Sequence, residues 1–348
     1  MAPDYRGICA RYWRPLVLWC LGLAGLCLAD ASLALTRAEL YQATVPVADR
    51  SEASKPAAFE TALGVVLVRV TGRRTADADP TFAPLLGNAR RYAQQYRETQ
   101  DGKLWVAFDG AAIERWLAQN NQPLWGRQRP ATFVWLTVPG GAQTGGPQAG
   151  SVITAEDTSD VKAAIDTAAS ERGAPVIWPS IADLQRNHLD YAAVSSASAS
   201  SLSDIAHRAG SDGMLIGRAN MAGAAALVRW TFSFQDRSNE FSGAPAEGIN
   251  RAADTYAGLF AVSGAAAPVV IEIGGVNDLK DYAFVQSYLE SLAFISHVGV
   301  EGLSGDVIRF RLTTRGGAEA LQNALPLSGR LQPGSAGENG VQRFELRH

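Results

Sequence analysis

The chain has 348 residues, a net charge of −3, 47% hydrophobic and 19% charged side chains. That balance excludes an intrinsically disordered protein, and it lacks the basic excess of a nucleic-acid binder. Cys9, Cys20 and Cys27 all lie near the start, so the rest of the chain can hold neither a disulfide nor a thiolate metal site.

Arg6, Arg11 and Arg14 precede an unbroken apolar run from Pro15 to Ala29. The run suits a signal-peptide core and falls short of the roughly 20 residues a spanning helix needs. Ser32-Leu33-Ala34 places small residues where a signal peptidase reads, so cleavage is expected after Ala34. A retained anchor is the alternative reading. A lipid anchor at Cys27 is disfavoured because bulky Leu26 precedes it. Loss of residues 1–34 removes three basic and two acidic residues and moves the net charge to −4. The expected product is a cysteine-free periplasmic or secreted protein with no stable membrane span.

A first α/β block is expected over 35–138. Tyr41–Val47 reads as an edge strand because of Pro46. Ser54 is a candidate helix cap, and Ala58, Ala62, Val66 and Val70 form a helical stripe ending near Thr71-Gly72. Phe82–Tyr96 reads as a second helix. An Asp101-Gly102 turn precedes the strand Leu104–Phe108. Asp109 caps a helix through Leu117, and Ala131–Val138 is a further strand. Residues 139–155, rich in Gly and Pro, read as a linker or loop.

The second block, 156–264, alternates helix and strand as layered α/β domains do. Helices are expected at 159–171, 202–209 and 247–262. Strands are expected at Pro175–Trp178, Met214–Arg218 and Leu227–Phe234. The Ala/Ser-rich residues 192–201 and the polar residues 236–248 read as loops. In the third block, 268–348, strand Val269–Val276 leads to a helix capped by Asn277 or Asp278. A hairpin follows at His297–Leu303 and Val307–Thr313, then a helix at Gly317–Ala324 and a strand at Val341–Leu346. The order βαββαβ is that of a ferredoxin-like domain. The fold class is therefore mixed α/β and α+β.

Leu40–Asp49, the run Ala62–Gly72, Phe108-Asp109, Trp125-Gly126, Arg129-Pro130, Glu171–Pro175 and Leu215–Arg218 together resemble an exported proteobacterial family catalogued as domain of unknown function 2066. Trp178 departs from its pattern. The resemblance implies an exported protein and no defined activity.

Nucleotide-binding glycine motifs, H-E-x-x-H and G-x-S-x-G are all missing. His188, His207, His297 and His348 show no helical pairing, so no metal site, cofactor or catalytic set is expected. His188 with Asp190, and Asp212 in Gly210-Ser211-Asp212-Gly213, are the places a general base would be sought. Asp77-Ala78-Asp79-Pro80 reads as a turn. Trp116, Trp125, Arg127, Arg129 and Trp135 form a Trp/Arg group, and these residue types dominate protein interfaces. The first four are the binding candidates, with burial in the core as their ordinary alternative. The expectation is an exported, non-catalytic envelope protein that binds a protein partner and no nucleic acid. A hydrolase or transferase with a carboxylate or serine site, and a small-ligand binder using the cleft between the first two blocks, are the alternatives.

Overall fold

A computed structural model describes residues 37–48, 51–140, 150–222, 225–235, 237–335, 337 and 340–348. The expected signal peptide and residues 141–149 of the expected linker lie outside the described residues. The fold is mixed α/β with three sheets, all within one unit spanning Ala34–His348.

The first layer holds β1 (Gln42–Pro46), helix α1 (Lys55–Thr71), β2 (Ala93–Glu98), β3 (Lys103–Phe108) and α2 (Gly110–Gln119). Its antiparallel sheet has the order β1-β3-β2. Helix α1 forms over the expected stripe although its C-terminal part is rich in valine, which favours strands. Ala62, Leu63, Val66, Leu67 and Val70 repeat at helical spacing and are fully buried, a burial that outweighs the β preference of valine. Gly72 closes the helix in the left-handed conformation, donating its N–H to Val68 O. Asp109 caps α2 by accepting from Ala112 N.

The helix expected over Phe82–Tyr96 does not form. Short turns at Pro80–Phe82, Ala83–Leu86 and Ala89–Tyr92 give way to strand β2. Pro84, Gly87 and Asn88 interrupt the helix, and Gly102 at φ +75 turns a hairpin that pairs β2 with β3. The Asp-Gly signal thus marks two strands rather than one.

The second layer comprises β4 (Thr132–Val138), β5 (Ser151–Val152), α3 (Asp160–Arg172), β6 (Val176–Ile177), α4 (Ile181–Arg186), α5 (Tyr191–Ser196), α6 (Ala199–Arg208), β7 (Gly213–Ala222), β8 (Ala225–Phe234), β9 (Arg237–Gly243) and α7 (Pro245–Phe260). The sheet order is β5-β4-β7-β8-β9, with β6 also pairing β4. Strand β4 runs parallel to β6 and β7 and is buried along nearly its whole length. It reads as a continuous apolar run because both sheet faces are covered. Val134 and Leu136 meet the α3–α7 side, whereas Phe133 and Trp135 meet α5 and α6. Two expected loops are ordered. Residues 191–208 form α5 and α6, capped by Asp190 and Ser198. Residues 237–243 form edge strand β9, polar because its side chains are exposed.

The third layer comprises β10 (Ala267–Gly274), α8 (Leu279–Ser291), β11 (Ile295–Ser304), β12 (Val307–Thr314), α9 (Gly317–Ala324), β13 (Leu331–Pro333) and β14 (Gln342–Leu346). The order is β11-β12-β10-β14-β13. This corrects the βαββαβ reading. A single crossover after β12 would leave the closing strand antiparallel to β10. Instead β14 runs parallel to β10, and β13 pairs with it at the edge. A helical turn at Leu325–Ser328 and Gly329 at φ +72 end the excursion early, so the chain lays down β13 and reverses once more.

Candidate functional site

Three separate segments converge where the first layer meets the second: the end of α1, the loop 125–130 and the end of α3. Arg129, at 7% exposure, stands at the centre. Its Nε donates to Gly126 O at 2.9 Å, its Nη1 to Arg172 O and Gly173 O at 3.0 and 2.9 Å, and its Nη2 to Arg69 O and Trp125 O at 2.8 and 2.9 Å. All five guanidinium N–H groups are therefore used, each on a backbone carbonyl. Those carbonyls include the C-terminal ends of α1 and α3, the ends whose dipoles favour a cation. Burial, with Arg69 and Arg172 close by, pushes the Arg129 guanidinium down from its ordinary pKa.

Arg69 works in the same way. Its Nε donates to Ser170 O at 3.1 Å, and its Nη1 to Glu39 O and Gln42 O at 2.8 and 2.9 Å. It thus joins β1 to α3. Arg172 reaches back to Gly72 O and to Asp254 Oδ1, both at 2.7 Å. Gly173 (φ +57) fills the remaining space. A Cβ there would lie 2.5 Å from Arg69 Cγ and 2.8 Å from Arg129 Nη1.

The four binding candidates separate. Trp125 is 1% exposed and lies under Arg129, so these two are interior and join the protein's own layers. Trp116 is half-buried against Phe82. Arg127 is half-buried and donates to Ser291 O at 3.1 Å, tying the loop to α8. Arg129 stacks on Trp125, and both side chains are buried, with Trp125 1% and Arg129 7% exposed. Trp135 is fully buried.

In front of this junction a cleft of about 740 Å³ opens between β1 and α3. Arg69 and Gly173 line its inner end, Gln42 and Thr44 one side, and Asp166, Ser170 and Glu171 the other. Trp105 also lines it, and Thr44 pairs with Trp105 across the sheet. Strand β1 is the edge of its sheet, so one of its two backbone rows faces away from β3. Neither Arg69 nor Thr44 belongs to a motif that marks a site in the sequence. The edge-marking Pro46 was the available signal.

The residues considered for catalysis are accounted for structurally. Asp190 caps α5 through Ala193 N at 2.7 Å, and His188 is exposed at φ +52. Asp212 lines a second cleft of about 450 Å³ together with His207. However, its Oδ2 accepts from Ala131 N at 2.9 Å and fastens the start of β4. Desolvation raises its pKa. An exposed apolar pair, Val300 and Leu303, lies on edge strand β11, but two register shifts interrupt that edge. Among the described residues no helix is long and apolar enough to cross a membrane.

Residues 34–126 match the family described as Domain of unknown function (DUF8605). This corrects the resemblance to domain of unknown function 2066, which is a different domain. The match spans the first layer through Gly126. No curated protein matches the chain.

Proposed function

We propose that this is an exported, non-catalytic cell-envelope protein that binds another protein by receiving a segment of it in the cleft between β1 and α3. The observation that carries this reading is the outer edge of β1, unpaired with any strand among the described residues, which Arg69 ties to α3 beside the Arg129 junction. A paired strand and a capped helix form the walls, and Arg69 bonds to both, which supports a cleft preorganised for binding. Export rests on the positive, apolar and small-residue pattern of residues 6–34.

Fractionation with N-terminal sequencing tests export: envelope or secreted protein beginning at Leu35 is expected. A photo-crosslinking side chain placed at Thr44 tests the cleft, with Glu240 on the exposed edge β9 as the control position. A discrete protein adduct at Thr44 and none at Glu240 is expected. Cytoplasmic protein with an intact N-terminus would end the export reading, and equal labelling at the two positions would end the cleft reading.

The cleft volume also lies in the range of small-molecule sites. That supports a second reading, a small-ligand module. A ligand-dependent rise in melting temperature, with no protein adduct at Thr44, would favour it.

A further inference from the structure

We infer that the occupant of the β1–α3 cleft is an extended protein segment carrying lysine or arginine at alternate positions, added as a further strand to β1. The inference rests on the reading of this cleft as a protein-binding site.

Two hydrogen bonds establish which backbone groups of β1 face the cleft. Tyr41 O accepts from Phe108 N at 2.8 Å, toward β3. Gln42 O accepts from Arg69 Nη1 at 2.9 Å, on the opposite side. In an antiparallel pair the N–H and C=O of one residue point the same way and successive residues alternate. Thr44 therefore turns both its N–H and its C=O away from β3, as does Gln42. Arg69 already occupies the Gln42 carbonyl, and among the described residues Gln42 N–H and both Thr44 groups are left for an incoming strand. Thr44 is exposed. This is the geometry of strand addition to a sheet edge.

The charges choose the sign of the occupant. Glu39, Asp166 and Glu171 line the cleft, and Arg69 is the basic side chain among its described lining residues. The Arg69 guanidinium is spent on three backbone carbonyls. Asp166 holds Lys162 at 2.7 Å and Trp178 Nε1 at 2.8 Å, while exposed Glu171 has no ion pair among the described residues. The cleft is thus acidic, and its basic component is buried and engaged. Side chains of an added strand alternate between faces, so only every second residue can meet the acidic wall. That argues for cations in alternation with small or apolar residues rather than a continuous basic run.

The probe is an end-capped peptide of about six residues alternating lysine and valine, long enough to span a five-residue strand. Binding to the full mature protein is read by fluorescence anisotropy. Three comparisons accompany it: a glutamate–valine peptide, the lysine peptide N-methylated at alternate residues, and the protein variant Glu171→Lys. The lysine peptide is expected to bind, more weakly as salt rises. N-methylation or Glu171→Lys is expected to weaken it at least about tenfold, and the glutamate peptide is expected not to compete.

Equal binding of the N-methylated peptide would overturn strand addition. Equal binding of the glutamate peptide, or an unchanged Glu171→Lys variant, would overturn the charge selection. Failure of every peptide while the Thr44 adduct persists would sink this inference and leave the cleft reading standing. Failure of both would remove the two together. Glu171 is exposed, and N-methylation alters only the probe, so neither comparison depends on a variant that fails to fold.

Discussion

The guanidinium of Arg129 lies 4.0 Å from the centre of the Trp125 ring and also donates to the Trp125 carbonyl at 2.9 Å. One residue thus holds the cation by its face and by its backbone, and the cation in turn binds the ends of two helices. The arrangement explains how a guanidinium can be buried without a carboxylate in contact. Five carbonyls and two helix dipoles replace the water it lost.

Arg129→Met should therefore be far more damaging than the loss of one surface charge. Five carbonyls lose their donor, and a cost of at least about 3 kcal/mol is expected. Arg129→Lys keeps the charge but offers three donors in place of five, so it should recover only part of that loss. Urea unfolding of both variants measures this; a lysine variant as stable as the parent would show that the carbonyl set matters little.

Gly173 and Gly210 provide a matched comparison. Both have positive φ, +57 and +77, but a Cβ at Gly210 meets nothing within 4 Å. Gly210→Ala should cost only the left-handed backbone penalty, about 1 kcal/mol. Gly173→Ala adds a collision with Arg69 and should cost about 2 kcal/mol more. Equal midpoints in denaturant would contradict the packing at the junction.

Ser180 and Asp183 form a capping box at the start of α4. Hydrogen bonds from the Ser180 side chain and backbone hold the Asp183 carboxyl below its usual pKa. Because the folded value is the lower one, this contribution is complete above the unfolded pKa of about 3.9 and disappears as pH falls through the folded value. Ser180→Ala should cost about 1 kcal/mol at neutral pH, and the difference from the parent should shrink below about pH 4. A cost that stays constant from pH 7 to pH 3 would count against the pairing.

Asp212 separates a structural role from a catalytic one. Asp212→Asn keeps an oxygen for Ala131 N, so its stability should change little. Asp212→Ala leaves that N–H without its acceptor and should cost about 1–3 kcal/mol. If the two variants were equally stable, the fastening of β4 by this side chain would be refuted.

Much of the fold could be read along the chain because the signals were local. The stripe Ala62–Val70, the caps Asp109 and Asp278 and the buried run of β4 each report their own element. Where a segment's state depends on a distant partner, the reading failed. Ala93–Glu98 is a strand because β3 pairs with it, and Arg237–Gly243 because β8 does. The orientation of β14 was equally hidden, since strand β13, which reverses the chain before it, consists of only three residues.

The candidate site followed the same division. Composition and order along the chain determined an apolar run near the start, a cysteine-free remainder and a cluster of Trp and Arg residues between 116 and 135. Only tertiary structure decided that Trp125 and Arg129 lie inside, that Arg69 joins β1 to α3, and that the Thr44 backbone is left facing a cleft. Propensity, capping and amphipathic spacing act over a few residues and are written locally. Burial and hydrogen-bond direction arise between segments about a hundred residues apart, as from Arg69 to Ser170, and the fold alone brings them together.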